Sequence, residues 1–206
     1  KILDLACGDG KYSDALLTQD RDITGVDLDK GMLEEAEKRF DKRKNIKFIF
    51  GNMLELSSVF KRERFDAVFC IGNSLVHLTS TNKIKKALRE LNSVMQNNGK
   101  LIVQIINYDR ILNENINFLP TIKNEDIEFI RNYHRHGNSR IIDFHTILKM
   151  PDGDIESHQE LYSLTKDELI FLAEKEGFTL ESVYSSFKKE EWNNQSLQSV
   201  FVFVKN

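Results

Sequence analysis

Apolar and polar positions alternate in blocks along the first half of the chain, and the period of the pattern changes from block to block. Continuous apolar runs predict five buried strands, at residues 1–6, 22–27, 46–50, 65–72 and 100–106. Between them, apolar positions at helical spacing predict helices at 11–18, 30–42 and 83–95, with a turn at Asn98 and Gly99 before the fifth strand. Apolar strands that alternate with helices are typical of a parallel sheet covered on both faces. The pattern predicts a doubly wound, Rossmann-like α/β fold.

The second half of the chain has a different texture. From about residue 125 the sequence is β-rich and is divided by turns at HGN (136–138) and PDGD (151–154), which predicts an antiparallel insertion after strand five. Thr165 and Glu168 have capping-box spacing and predict a helix that ends near Glu176, before Gly177. Two last β-runs, 179–187 and 197–204, complete a sheet of seven strands.

These elements predict one domain over residues 1–206. Its parts are residues 1–112, which carry the ligand-binding turns, an insert at about 113–164, and residues 165–206, which complete the sheet. The chain begins at Lys1 directly before an apolar run, so we expect that a further N-terminal segment precedes it.

Charge and composition narrow the range of partners. The net charge is -3 with 40% hydrophobic residues, which gives no basic surface for a nucleic acid. No apolar run approaches the roughly 20 residues that cross a bilayer, and no signal-peptide pattern is seen. Together with only two cysteines, this predicts a cytoplasmic protein without a nucleic-acid or membrane partner. The oligomeric state is left open.

The first strand leads into a glycine turn that can bind a ligand. In open α/β sheets, ligands bind beyond the carboxyl ends of the strands, and Gly8 and Gly10 stand directly after strand one. A compact connection without a ligand explains such a turn equally well. A dinucleotide would favour a third glycine where Ser13 stands, and its pyrophosphate would face the acids Asp4 and Asp9. S-adenosylmethionine carries an ammonium and a sulfonium but no phosphate, so these acids favour it.

Polar residues also follow the next two strands. Asp27 closes strand two, where a carboxylate can accept hydrogen bonds from both ribose hydroxyls. Either Asp27 or Asp29 could instead cap the following helix. We predict that Asp29 caps the helix and that Asp27 binds the ribose. After strand three, Asn52 and Met53 offer a polar group for the edge of adenine and an apolar one for its face.

Taken in order, these segments resemble a known family. The motifs LDLACGDG, VDLD, GNML, FDAVFCIGNSLVHL and NNGKLIV resemble those of class I S-adenosylmethionine-dependent methyltransferases over about residues 1–112. FDAVFCIGNSLVHL and NYDRIL are similar to segments that border the methyl-transfer site in the glycine and sarcosine N-methyltransferase group. The resemblance implies S-adenosylmethionine as cofactor, S-adenosylhomocysteine as product, and a small-molecule acceptor, with an amine nitrogen favoured.

The resemblance also implies roles for individual residues. Gly8 and Gly10 would form the turn on the methionine side of the cofactor, and the further cofactor-binding positions would be Asp4, Asp27, Leu28, Asn52, Met53, Ile71, Gly72 and His77. Asn73 and Tyr108 would position the acceptor, with His77 as a further candidate. One position departs from the group, because Ile106 stands where an arginine grips the carboxylate of glycine. Glycine is therefore a doubtful substrate.

Several alternatives remain open at this point. An oxygen acceptor would need a base, for which His77, His145 and His158 are the candidates. A nucleic-acid methyltransferase is disfavoured because IGNS stands where an Asn/Asp-Pro-Pro-aromatic loop would hold the base. A non-catalytic S-adenosylmethionine-binding protein and a nicotinamide dehydrogenase are further readings. The spacing of histidines and cysteines predicts no metal site.

Overall fold

The computed structural model describes residues 1–137 and 139–206, and its central feature is a seven-stranded sheet. Its strands are β1 (Ile2–Leu5), β2 (Ile23–Asp27), β3 (Ile46–Phe50), β4 (Phe65–Cys70), β5 (Met95–Ile106), β10 (Phe178–Tyr184) and β11 (Gln198–Lys205). The spatial order is β10-β11-β5-β4-β1-β2-β3. The pairs that β11 forms with β10 and β5 are antiparallel, and the other pairs are parallel. Strand order reverses between β1 and β4, which is where such sheets open a crevice for ligands.

Helices cover the sheet, as the predicted fold requires. They are α1 (Lys11–Leu16), α2 (Lys30–Arg39), α3 (Leu56–Val59), α4 (Thr81–Val94), α5 (Tyr108–Asn113) and α6 (Lys166–Lys175), with a 3-10 helix at Ser74–His77. In α4, the residues that face the sheet recur every three or four positions and are buried: Ile84, Ala87, Leu88, Leu91 and Val94. The doubly wound α/β prediction is confirmed. None of the helices in the described ranges has the length and apolar character needed to cross a membrane.

The predicted insertion is a separate antiparallel sheet. It consists of β6 (Phe118–Lys123), β7 (Glu128–Arg135), β8 (Ile141–Lys149) and β9 (Ile155–Tyr162), paired in that order. On one face, Tyr133 and Phe144 pack against each other with ring centroids 5.2 Å apart and join the hydrophobic core. Since neighbouring residues of a strand point to opposite faces, His145 lies on the other face.

Some predicted details were wrong. Asn98 and Gly99 lie inside β5, at a bulge where the register with β4 shifts, and not in a turn before the strand. The capping box at Thr165 does not form, because the Glu168 carboxylate accepts from Arg140 and from Tyr162 Oη. In its place the Lys166 amide donates to Asp109 Oδ2 at 2.8 Å. The PDGD turn is present at Met150 to Gly153, whereas the HGN turn includes Asn138, which lies outside the described residues.

Candidate active site

The turn after β1 is held in a conformation that only a few residue types adopt easily. Ala6, Gly8 and Gly10 all have positive φ, at 58°, 53° and 74°. A Cβ on Gly10 would lie 2.9 Å from the ring of Phe48, so this glycine allows the turn to pack on β3. A Cβ on Gly8 would have no heavy atom within 4 Å. Gly8 therefore presents bare backbone to open space, as a ligand-binding turn requires, while Gly10 has a packing role and its cofactor contact stays a prediction.

Asp27 joins this turn to the end of β2. Its Oδ2 accepts from the Gly8 amide at 2.7 Å, and its Oδ1 accepts from the Asp29 amide at 2.9 Å. Asp29 in turn accepts from the Met32 amide at 3.1 Å and is the N-cap of α2, as predicted. Each carboxylate oxygen of Asp27 can accept a second hydrogen bond. The carboxylate is thus fixed in orientation and still able to accept from a ligand.

A cavity of about 190 Å³ lies beside Asp27, at the point where the strand order reverses. Predicted cofactor residues among its lining are Asp27, Leu28, Met53 and His77. Ala6 and Ser74 also line it and were missed by the sequence analysis, because they carry no distinctive chemistry and only their position after a strand marks them. Apolar walls around one fixed carboxylate suit a nucleoside, whose base is flat and whose ribose donates hydrogen bonds.

The two acids near the turn differ in their surroundings. Asp4 is 1% exposed and accepts a hydrogen bond from Ser13 Oγ at 2.6 Å. Ser13 stands where a dinucleotide-binding fold favours glycine, and here its hydroxyl binds the Asp4 carboxyl group. Burial raises the pKa of Asp4 to about 6, although the Ser13 hydrogen bond opposes the shift. Asp9 pairs with Arg39 at 2.8 Å. Of these two acids, Asp9 has a cationic partner, whereas Asp4 has none among the described residues. The contact of Asp4 with the cofactor stays a prediction.

Replacing Asp4 with asparagine should change how stability depends on pH. Because its pKa is about 6 in the folded state and 3.8 unfolded, the folded protein holds the proton more tightly. The contribution of this bound proton to the free energy of unfolding is present in full below pH 3.8 and is lost as the pH rises through about 6. Asp4→Asn cannot ionise, so its unfolding free energy relative to wild type should rise by about 1.4 kcal/mol per pH unit across this window. Urea unfolding without cofactor at several pH values measures the difference.

Ser13→Ala is the matched control, since it removes the hydrogen bond and leaves the carboxyl group. The unfolding free energy of this variant should depend on pH at least as steeply as that of the wild type. Parallel curves for wild type and Asp4→Asn would show that Asp4 titrates normally.

A second group of residues connects the ends of β4 and β5. Asn73 has a left-handed backbone with φ 66°. Its Oδ1 accepts from the Ile106 amide at 3.0 Å and its Nδ2 donates to Tyr108 Oη at 3.1 Å. The neighbouring Gly72 amide donates to Gln104 Oε1 at 2.7 Å. These bonds fix the Asn73 amide group against the end of β5 and the start of α5.

Tyr108 lies behind Asn73 and not at a cavity surface. Its side chain is 0% exposed, and burial raises the pKa of its hydroxyl well above the usual range. The hydroxyl therefore stays neutral at physiological pH and cannot act as a base. We expect Tyr108 to act through Asn73, by holding the amide in place.

A larger cavity of about 600 Å³ lies at the carboxyl end of β5, beside Ile106 and Asn107. Ile106, which donates its amide to Asn73, lines this cavity, whereas Ser74, which follows Asn73, lines the smaller one. Two arginines line the large cavity as well: Arg110, paired with Glu114, and Arg131, which donates to the Pro120 carbonyl. Asn73 is thus connected to one residue at each cavity, through the chain to Ser74 and through a hydrogen bond to Ile106.

The other residues predicted to contact the cofactor or the acceptor lie at the strand ends around these cavities or on the insertion. Asn52 Oδ1 accepts from the Leu54 amide at 2.9 Å, which orients the side chain just beyond β3. Ile71 is buried and Gly72 has φ 79°, so both shape the backbone before Asn73. His77 lines the smaller cavity, and partial burial lowers its pKa. His145 and His158 lie on the face of the insertion that points away from the core, which leaves His77 as the histidine at the cavity.

Comparison with known proteins agrees with this geometry. Residues 2–99 match a family described as a methyltransferase domain. The chain is 30% identical over 192 residues to a glycine/sarcosine N-methyltransferase of Aphanothece halophytica, a match that covers 92% of this chain and 70% of that protein. It is 35% identical over 123 residues to the glycine N-methyltransferase of Rattus norvegicus, over 54% of this chain and 42% of that enzyme. The chain therefore spans less than half the length of the rat enzyme.

The fold has close counterparts among solved structures. An S-adenosylmethionine-dependent methyltransferase from Clostridium acetobutylicum superposes with a TM-score of 0.86 over 100% of this chain and 83% of that one, at 15% identity. The sheet order, the glycine turn and the carboxylate at the end of β2 agree with these matches. The chain belongs to the class I S-adenosylmethionine-dependent methyltransferases, so S-adenosylmethionine is its cofactor. Within that class it resembles the glycine/sarcosine N-methyltransferase group.

Proposed function

We propose that the enzyme transfers a methyl group from S-adenosylmethionine to the amine nitrogen of a small molecule. The observation that carries the proposal is the link that Asn73 makes between two cavities: its neighbour Ser74 lines the cavity beside Asp27, and Ile106, whose amide donates to Asn73 Oδ1, lines the larger one. A donor held on one side and an acceptor on the other would meet at this amide. The relatives named as N-methyltransferases of glycine and sarcosine support nitrogen as the receiving atom.

The residues at the smaller cavity fit the cofactor. Asp27 offers free acceptor capacity for the ribose, Leu28 and Met53 offer apolar surface for adenine, and Gly8 leaves its backbone open for the methionine portion. The buried Asp4 adds a carboxyl group beneath the turn. When bound, S-adenosylmethionine supplies an electrophilic methyl group on a sulfonium.

The protein's part in such a transfer is alignment and exclusion of water. A neutral amine already has a lone pair, so it needs orientation more than a base. Asn73 is suited to this task because its amide is fixed by hydrogen bonds to Ile106 and Tyr108. Its carbonyl oxygen, Oδ1, can accept a second hydrogen bond and so can hold an amine N–H.

The acceptor is proposed to differ from glycine. Ile106 forms part of the large cavity wall at the position where the resemblance implies a carboxylate-binding arginine, so a carboxylate would lack its partner at that position. The two arginines of the cavity are already engaged, Arg110 by Glu114 and Arg131 by the Pro120 carbonyl. We further propose that residues 1–112 bind the cofactor and that the insert at about 113–164 shapes the acceptor side, since Phe118, Leu119 and Arg131 line the large cavity. A cytoplasmic location and the absence of a nucleic-acid partner are part of the same proposal, consistent with the free, buried Cys7 and Cys70.

The test is product formation with matched acceptors. Purified protein is incubated with S-adenosylmethionine and panels of small amines, phenols and carboxylic acids, and S-adenosylhomocysteine is quantified. We expect turnover with amines and none with glycine. Turnover confined to phenols or carboxylic acids would contradict the nitrogen assignment. If the protein binds S-adenosylmethionine but methylates neither a member of these panels nor bulk RNA, a non-catalytic role is favoured.

A further inference from the structure

The outer face of the insertion carries a cluster of metal-ligating side chains. His145 on β8 lies directly opposite His158 on β9, and their rings stack at 4.2 Å with only 8° between the planes. Glu156 is two residues before His158 and so shares its face. One nitrogen of each histidine and one oxygen of Glu156 lie within 4.8 Å of one another.

The two imidazoles lie close to a shared carboxylate, and because their planes are nearly parallel, one ring must rotate for both lone pairs to point at one ion. His145 Nε2 contacts Glu156 Oε1, and His158 Nε2 lies 3.9 Å from the same oxygen. Both Nε2 atoms therefore converge on one carboxylate. Two imidazole nitrogens and a carboxylate oxygen form a donor set that suits zinc and neighbouring divalent transition metals.

A second carboxylate orients one of the ligands from behind. Asp143 Oδ2 lies 3.1 Å from His158 Nδ1, on the opposite side of the ring from Glu156. A carboxylate at Nδ1 favours the tautomer with a proton on that atom, which leaves Nε2 free to bind a metal. Asp143 is thus placed as the outer partner of a carboxylate–histidine–metal arrangement.

We propose that His145, Glu156 and His158 bind a divalent transition metal, with zinc as the best fit and solvent completing the coordination. The ion would link β8 to β9 on the face away from the core, so its expected effect is to stabilise the insertion and not to take part in methyl transfer. The proposal is independent of the acceptor and of the cofactor. The sequence alone did not predict it, because the ligands come from two strands whose register is not visible in the spacing.

Zinc binding to the full-length protein, freed of any tag and treated with EDTA, tests the proposal. Calorimetric titration with zinc chloride should give one site per chain, and zinc should raise the melting temperature. Asp143→Asn removes the outer partner and should weaken zinc binding by roughly 10- to 100-fold. His158→Ala and Glu156→Gln each remove a direct ligand and should weaken zinc binding by more than that. Glu156 has a 60% exposed side chain, so Glu156→Gln is expected to fold normally.

His136→Ala is the matched control, because it removes an imidazole of the insertion that is not part of the cluster. It should keep wild-type zinc affinity and the zinc-dependent rise in melting temperature. Absence of stoichiometric zinc binding in the wild type would overturn the proposal. So would binding that survives both His158→Ala and Glu156→Gln.

Discussion

Replacing Asp27 with alanine is expected to weaken S-adenosylmethionine binding by about 1 to 3 kcal/mol, the range for hydrogen bonds to a charged group. This corresponds to a loss of about 5- to 150-fold in affinity. The carboxylate lines the smaller cavity and is held by the amides of Gly8 and Asp29, so its loss should remove the proposed ribose contact and also loosen the turn. Calorimetric titration of the purified variant measures the change.

Asp29→Ala separates ligand binding from support of the helix. Asp29 caps α2 through the Met32 amide, so its loss should lower the unfolding free energy by about 1 kcal/mol. The affinity for S-adenosylmethionine should stay as in the wild type, because Asp29 does not line the cavity. If Asp27→Ala also loses stability and keeps its affinity, both aspartates are structural and the ribose assignment is wrong.

The centre of the sheet could be predicted from the sequence because strands such as β1 and β2 are buried over nearly their whole length. Strand β1 is apolar apart from Asp4, and strand β4 leads straight into the Gly72-Asn73 motif, so each strand end was visible as the last residue of an apolar run. Ligand-binding positions follow from those ends alone. The roles of Asp27 and Asp29 could be separated for the same reason, since one closes the strand and the other begins the helix.

Elements at the surface could not be predicted in this way. Strand β6 is mostly exposed and carries Pro120, so it lacks the alternation that marks a half-buried strand. The 3-10 helix at Ser74–His77 and the short α5 span too few residues for a period to appear. At Glu168, tertiary contacts with Arg140 and Tyr162 replaced a local capping box that the spacing alone favoured.

The site shows the same division between local and long-range information. Asp27, Leu28, Met53 and His77, each of which ends or follows a strand or lies in a strand-end motif, line one cavity, and their cofactor contacts stay predictions. The burial of Tyr108 behind Asn73 depends on packing of α5 against the insertion and the core, which no local pattern encodes. The proposed metal-binding group of side chains depends on the pairing of His145 with His158, which is fixed by the turn between β8 and β9.

Replacing Asn73 with glycine is expected to lower kcat by about 100-fold, the scale of loss from a small misplacement of the reacting groups. Glycine accepts the 66° φ of this position without strain, so the backbone should stay in place while the bonds to Ile106 and Tyr108 are lost. The cofactor affinity should change little, because the residues that line the smaller cavity remain. Steady-state kinetics with the best amine acceptor, together with calorimetry of S-adenosylmethionine, give both quantities.

Asn98→Gly provides a control with the same chemistry at a remote position. Asn98 also has a left-handed backbone, with φ 61°, but it is exposed at the bulge in β5. Its replacement should leave kcat and cofactor affinity unchanged. If Asn73→Gly lost cofactor affinity and kept kcat, Asn73 would belong to the cofactor site alone. Other residues would then have to align donor and acceptor, with Ser74 at the smaller cavity and Ile106 at the larger one as the first candidates.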